Sequence, residues 1–184
     1  MSDSIQVGLY SAAMLVANLW IFIPNALIDS GRPIIMAMKS EKNEDGYVDR
    51  LRKLNMGVLW ISILAGVFFT IFGRVVIYIV NGKAFLAAVP VLWVLIWSRM
   101  FSLMGTTRSI WMLCEGMEKY IKYFVALGAF INVVLNWMLI PILGAVGAAI
   151  ATLVTEVLSS FVATGIVPKT RPYFKILLRS IKIK

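Results

Sequence analysis

The segment NVVLNWMLIPILGAVGAAIATLVTE, from Asn132 to Glu156, contains the strongest structural signal in this chain. It lies inside a longer apolar run, Tyr123 to Val167, whose only charged residue is Glu156. As one helix that run would be roughly 67 Å long, whereas the hydrocarbon core of a bilayer is about 30 Å thick. Pro141 and Gly144 are the residues that break helices here, so the stretch predicts a transmembrane helical hairpin.

The composition favours the same class of protein for the whole chain. Of the 184 residues, 60% are hydrophobic and 15% are charged. Soluble domains are about half apolar and about a quarter charged, so this chain has too few polar residues to cover a soluble surface. We therefore expect an all-α membrane protein with one domain over residues 1–184 and about five spans. The predicted helices are 7–28, 56–80, 84–107, 122–140 and 144–166.

The positive charges are grouped in loops and in the tail. The net charge is +9, but no basic groove or nucleic-acid motif is present, so nucleic acid is not an expected partner. Basic and non-basic connections alternate along the five predicted spans, with a strongly basic cytoplasmic loop at 38–55. By the positive-inside rule, we expect the N-terminus to lie outside and the C-terminus to lie in the cytoplasm.

The last residues, 168–184, form a basic amphipathic segment. Apolar residues at helical spacing share one face, and lysines and arginines share another. This pattern is typical of a helix that lies among anionic lipid headgroups, which makes membrane lipid an expected partner. The alternative is a solvated basic end without fixed structure.

Cysteine and histidine usage argues against metal and redox chemistry. The chain has one cysteine, Cys114, and no histidine. A Cys/His metal site or an internal disulfide cannot be built from this set, and no phosphate-binding glycine loop is present. The sequence predicts no cofactor and no enzymatic activity.

Charged residues at membrane depth are costly and are the first candidates for function. Arg99 lies near mid-span, either as an anion site in a cavity or as a buried pair with Glu156 that holds helices together. Arg108 lies nearer the cytoplasmic end of its span and either lines the cavity or reaches towards the interface. Arg74 is close to the outer end of its span, and we expect it to extend outward.

Uncharged residues add further candidates for a substrate cavity. Asn132 and Asn136 are four residues apart and share one helix face, while Asn25 is a third intramembrane amide. They either line a hydrated path for a sugar or bond between helices. Trp93 and Trp97 share a face just before Arg99 and are the tryptophans best placed to stack on a sugar.

Three segments resemble one known family. VGLYSAAMLVANLWIFIPNAL (7–27), RMFSLMGTTRSIWMLCEGMEKY (99–120) and INVVLNWMLIPILGAVGAAIATLVTE (131–156) are similar, in order and spacing, to the carboxy-terminal half of bacterial polysaccharide flippases. These belong to the multidrug/oligosaccharidyl-lipid/polysaccharide exporter superfamily. The resemblance implies a partial bundle of a multidrug-exporter-like (MATE-like) fold. It also implies transport of undecaprenyl-diphosphate-linked oligosaccharide, a lipid-linked oligosaccharide used in polysaccharide biosynthesis.

Members of this family are usually more than twice as long as this chain. The resemblance therefore implies a missing amino-terminal half as a partner, with this chain inactive by itself. Other hypotheses stay open from the residues alone. They are a membrane enzyme of envelope polysaccharide assembly, a non-transporting membrane scaffold and a drug or cation antiporter.

Overall fold

The computed structural model describes residues 3–181, and within that range 94% of the structure is helical. The prediction of an all-α protein is confirmed. The helices are α1 (Asp3–Leu19), α2 (Phe22–Ser40), α3 (Glu44–Asn81), α4 (Val89–Cys114), α5 (Glu118–Glu156), α6 (Ala163–Ile166) and α7 (Arg171–Ile181). Two 3₁₀ turns, Lys83–Ala88 and Pro168–Thr170, and a π-helical segment, Val157–Val162, complete the order.

Several of these helices have the length and composition of membrane spans. In the part of the chain that the structure describes, three qualify, namely Glu44–Asn81, Lys83–Cys114 and Glu118–Ile166. A fourth is added if α1 and α2, which are bent by 47° at a short break, form one span. The fold is therefore compatible with a membrane protein.

Helix α5 is interrupted at Gly144, where the chain reverses. This glycine has φ 57° and ψ −132°, a conformation that residues with a Cβ rarely adopt. The two arms then lie very close together, because a Cβ on Gly147 would stand 2.3 Å from the carbonyl oxygen of Leu139. Further along, the Asn132 amide donates to the Thr155 hydroxyl at 3.4 Å. The segment from Asn132 to Glu156 thus forms a hairpin of two antiparallel arms.

The predicted first helix, 7–28, has the wrong bounds. The chain breaks between α1 and α2, and α2 continues well past residue 28. Pro24 lies in the first turn of α2, where a missing N–H costs no intrahelical bond. The proline therefore helps to start a second helix after a bend, and the first helix ends earlier than its apolar residues suggest.

The predicted loop at 38–55 is also mostly helical. Helix α2 extends to Ser40 and α3 begins at Glu44. The Asn43 side chain caps α3 by accepting a hydrogen bond from the N–H of Gly46 at 3.0 Å. The predicted span 56–80 is thus the later part of a longer helix, and 84–107 likewise corresponds to a 3₁₀ turn followed by α4, which extends to Cys114.

The tail forms helix α7 and is anchored to the bundle. Tyr173 is fully buried, and its hydroxyl donates to the Asn55 side chain at 2.9 Å and lies 2.8 Å from the Thr107 hydroxyl. Burial raises the pKa of Tyr173 to about 12. Leu177 is buried beside it, while Leu178 is exposed. The predicted amphipathic helix is present over these residues, and 182–184 lie outside the described residues.

Helices α3 and α4 pack closely because glycines on α3 receive large side chains of α4. A Cβ on Gly66 would lie 3.0 Å from the indole of Trp97, and one on Gly73 would lie 3.2 Å from Leu92. Trp93 lies against the same glycine and is 43% exposed. This contact places one side of α4 in the core and leaves its opposite side to α1 and α5.

Candidate functional site

The candidate site is a cleft of about 650 Å³ between α1, α4 and the two arms of α5. Its walls carry hydroxyl, amide and charged side chains, which are scarce elsewhere in the apolar bundle. The polar residues on which the following argument depends are Tyr10, Ser102, Arg108, Asn132, Thr155 and Glu156.

Arg108 lies in the wall of this cleft and is only 5% exposed. Its guanidinium donates to the carbonyl oxygen of Ser159 at 2.8 Å and to the Thr164 hydroxyl at 2.9 Å. It also lies 4.0 Å from the centre of the Phe124 ring, within range of a cation–π contact. These partners are neutral, so the positive charge is held in place without being cancelled by a bonded carboxylate.

The hydrogen-bond acceptors of Arg108 belong to the π-helical segment Val157–Val162 and to α6 just beyond it. Such segments are rare and are frequent at functional sites. The close approach of this segment to α4 requires a small residue, because a Cβ on Gly105 would stand 2.6 Å from the Ser160 hydroxyl. Gly105 thus allows the segment to present its carbonyl groups to Arg108.

Glu156 lines the same cleft and is half-buried. Its carboxylate accepts a hydrogen bond from the Ser160 hydroxyl at 3.0 Å. Its charge acts electrostatically on Arg99 and Arg108, but among residues 3–181 no ion pair within 4.0 Å joins it to either. Arg99 and Glu156 therefore do not form the buried ion pair that was the alternative for Arg99.

Arg99 lies apart from the cleft lining. Its guanidinium donates to the thioether sulfur of Met14, a residue that does line the cleft. Its Nε is buried without a hydrogen-bond partner among the described residues. Arg99 therefore stands behind the wall of the site, whereas Arg108, for which the sequence also allowed an interfacial position, is the buried arginine in the wall.

Asn132 and Asn136 are brought together as their spacing predicts. The Asn136 amide donates to the Asn132 side-chain oxygen at 2.8 Å. Asn136 lines a second cleft of about 360 Å³, which extends towards the turn at Gly144. The two clefts share Tyr10, Asn132 and Thr152, and the hydroxyls of Tyr10 and Thr152 lie 3.3 Å apart between them. We call the two clefts together the groove.

A glutamine from α1 closes the far end of the groove. The Gln6 side-chain oxygen accepts a hydrogen bond from the N–H of Ala145 at 2.9 Å. That N–H is left without an intrahelical partner by the reversal at Gly144, so Gln6 caps the second arm. The groove therefore extends from this turn to the end of the bundle where Leu113 and Val125 lie.

Besides Arg99, three predicted cavity residues are not at the groove. Asn25 is exposed on α2, and Trp93 and Trp97 pack against glycines of α3 on the opposite side of α4. Arg74 is exposed beside Tyr78. The tryptophans fill gaps above glycines, which is a packing role.

Sequence reasoning missed the hydroxyl residues of the groove. Ser102, Thr106 and Ser109 of α4 all line it, and the last two donate to a carbonyl one turn earlier, at 3.2 Å for Thr106 and 3.0 Å for Ser109. Their spacing of three and four residues marks one helix face, and that signal was present in the sequence. The signal was weak because single hydroxyls within a helix also satisfy themselves on the backbone.

The comparisons with known proteins give no relative. No protein-family model matches the chain, and neither a curated protein nor a solved structure matches it. Within the described residues there is also no group of three or more His, Cys, Asp or Glu side chains that could hold a metal ion. The polysaccharide flippase resemblance therefore stays a prediction.

Proposed function

We propose that this protein is part of a carrier that moves an undecaprenyl-diphosphate-linked oligosaccharide across the bacterial inner membrane. The observation that carries the proposal is the position of Arg108, a buried arginine in the wall of an open, hydroxyl-lined groove. An amphipathic cargo of this kind needs a polar path for its sugars and a positive charge for its diphosphate. Transport, not catalysis, suits such a groove.

The chemistry of the diphosphate favours an arginine in this position. Arginine binds phosphate through two parallel N–H bonds, and the interaction is stronger where water is excluded. One terminal nitrogen of Arg108 is held by Ser159 and Thr164, which fixes the direction of the guanidinium. A positive charge that is fixed by neutral groups retains its attraction for an anionic ligand.

The proposed topology has five crossings. The bent pair α1 and α2 makes the first, α3 and α4 make two, and the two arms of α5 with the segments after them make the last two. The end of the bundle that carries the basic connections and α7 faces the cytoplasm. The N-terminus and the turn at Gly144 then face outward.

A second helical bundle is the proposed partner. The residues that line the groove are only half-buried at several positions, including Tyr10, Asn132 and Glu156. In a MATE-like carrier a second bundle covers such a face and encloses the cargo. We propose that the groove works in a complex of this kind and that the isolated chain binds cargo without moving it.

A cation exporter is the second candidate, and Glu156 favours it. This carboxylate lines the groove and, among the described residues, is free of an ion pair within 4.0 Å. A cationic drug would bind to Glu156 and be repelled by Arg108. Glu156→Gln and Arg108→Gln should therefore have opposite effects for the two classes of cargo.

The test is binding to the full chain in nanodiscs of neutral lipid. We expect undecaprenyl diphosphate to bind at least about tenfold more tightly than undecaprenol, since charge-assisted hydrogen bonds to phosphate are among the strong ones. Arg108→Gln should remove that preference, and Arg74→Gln, an exposed arginine, is the matched control. Equal binding of the two lipids to the wild-type chain would contradict the proposal.

A further inference from the structure

Three lysines surround a pair of tyrosines where α5 begins. The Lys169 Nζ donates to the Tyr120 hydroxyl and lies 4.4 Å from the centre of that ring. The Nζ of Lys119 lies 5.6 Å from the same ring, and that of Lys122 lies 5.3 Å from the ring of Tyr123. We call these five residues the lysine–tyrosine cluster.

The cluster combines charge with exposed aromatic surface. The two tyrosine rings are 6.2 Å apart, and Tyr123 is 60% exposed. All three lysines are exposed, and among residues 3–181 none of them is in an ion pair within 4.0 Å. Glu118 is the acidic residue nearest in sequence. The cluster therefore has ammonium groups available for an anion beside rings that can stack on a sugar.

The cluster adjoins the groove along α5. Tyr120 and Phe124 are four residues apart and lie on one helix face. Phe124 lines the groove, and the Arg108 guanidinium lies over its ring, 4.0 Å from the ring centre. A positive charge over an aromatic ring thus recurs one helical turn apart, first Lys169 over Tyr120 at the surface and then Arg108 over Phe124 in the groove.

We propose that the lysine–tyrosine cluster is an entry site that captures the diphosphate of the lipid-linked oligosaccharide before it reaches Arg108. The inference rests on the proposed function. Three ammonium groups attract the diphosphate from the membrane surface, and the tyrosine rings receive the adjoining sugar. The cargo then passes one turn along α5 to the buried arginine.

The physical roles of the two sites differ, and rates separate them. Exposed charges at the edge of a site act mainly on association, whereas buried bonded charges act mainly on dissociation. The entry site therefore determines how fast the diphosphate arrives, and Arg108 determines how long it stays.

The experiment measures the binding kinetics of undecaprenyl diphosphate to the full chain in neutral-lipid nanodiscs, by stopped-flow fluorescence. The variant carries Lys119→Gln, Lys122→Gln and Lys169→Gln together. Its matched control carries Arg171→Gln, Lys175→Gln and Arg179→Gln, which remove the same charge from exposed positions of α7. We expect the first variant to associate about tenfold more slowly with little change in dissociation, and the control to stay within about twofold.

Each other result has a definite meaning. Equal association rates for the two triple variants would overturn the entry site. If Arg108→Gln still speeds dissociation in the same assay, the proposed function stands without it. A wild-type chain that does not distinguish undecaprenyl diphosphate from undecaprenol overturns both proposals.

Added phosphatidylglycerol tests the other source of phosphate. The entry site as proposed prefers the diphosphate, so a small fraction of phosphatidylglycerol leaves the tenfold difference in place. Loss of the difference at that fraction would mean that ordinary anionic lipid occupies the cluster, which also overturns the entry site. Tyr120→Phe supplies a milder variant, because it removes only the hydroxyl that positions Lys169.

Discussion

Helix α4 has two sides that differ in what they contact. The side towards α3 is dry, because Trp97 and Leu92 fill the space above Gly66 and Gly73. The opposite side carries small and polar residues, and it faces the groove between α1 and the arms of α5. Both sides belong to one apolar helix, yet only the second leaves polar groups such as Arg108 near open space.

The difference shows where an apolar helix can tolerate polar groups. One turn before Ser102, the Ser98 hydroxyl lies outside both clefts, where it is buried and bonds to the carbonyl of Leu95 at 2.7 Å within its own helix. On the groove side Arg108 binds to another segment, and hydroxyls such as that of Ser102 face a cleft. Polar groups on α4 are thus structural where they are buried, as at Ser98, and available to a ligand where they line the groove, as at Ser102.

Gly147→Val should have the largest effect, because it breaks the wall of the groove. The new Cβ would stand 2.3 Å from a backbone oxygen of Leu139, so the two arms of α5 would have to separate. We expect the free energy of unfolding to fall by about 4 kcal/mol or more, as measured by SDS-induced unfolding in mixed micelles.

Ala148→Val is the control for that change. Ala148 is half-buried and lines the second cleft, where a larger side chain has room. Its effect should stay below about 1 kcal/mol. Equal losses for the two variants would mean that the arms of α5 do not approach as closely as described.

Gly66→Leu tests the dry side of α4. Since a Cβ at this position lies 3.0 Å from the Trp97 indole, a leucine overpacks the α3–α4 contact. The expected loss is about 1–3 kcal/mol in the same unfolding assay. Adding Trp97→Ala should restore part of it, whereas Val67→Leu at an exposed neighbouring position should be nearly neutral. Failure of the second substitution to restore stability would contradict tight packing at this site.

Tyr173→Phe has a smaller expected effect and probes the anchor of α7 on the bundle. It removes the hydroxyl that donates to Asn55 and leaves a buried oxygen without its partner. The cost should be about 1–2 kcal/mol. Tyr123→Phe removes an exposed hydroxyl and should cost less than about 0.5 kcal/mol. If the two changes cost the same, α7 is not held by this hydrogen bond.

Asn25→Ala should have the smallest effect and contrasts with Asn132→Ala. Asn25 is exposed on α2, whereas Asn132 lines both clefts of the groove. We expect Asn132→Ala to weaken the binding of undecaprenyl diphosphate about fivefold, the loss of roughly one hydrogen bond. Asn25→Ala should leave it within about twofold. A larger effect from Asn25 would favour the sequence-based candidate over the groove.

The sequence predicted the structure well where local chemistry alone determines it, as at helix-breaking residues and at positions with helical spacing. Pro141 and Gly144 predicted the hairpin, because no bilayer accommodates a single helix of that length. The pair Asn132 and Asn136 followed from helical spacing alone. Pro24 indicated a kink or a break near the end of the first apolar run, but the run itself does not show where each helix begins and ends.

The side on which a residue lies was harder to predict. Trp93 and Trp97 were favoured for a sugar, yet they pack on glycines that are remote in sequence. Arg108 can be buried because the π-helical segment Val157–Val162 supplies a carbonyl acceptor for its guanidinium. The sequence VLSSFV has no pattern that predicts a π-helix. Contacts between distant segments determined both outcomes.

We expect the groove side of α4 to be open to water and the side towards α3 to be dry. Single cysteines at Ser102, which lines the groove, and at Leu92, which is buried against Gly73, test this in a Cys114→Ser background. In membranes, we expect a water-soluble thiol reagent to modify Ser102→Cys at least about tenfold faster than Leu92→Cys, because ionisation and access control thiol reactivity. Equal rates at the two positions would mean that the two sides of α4 do not differ in their access to water.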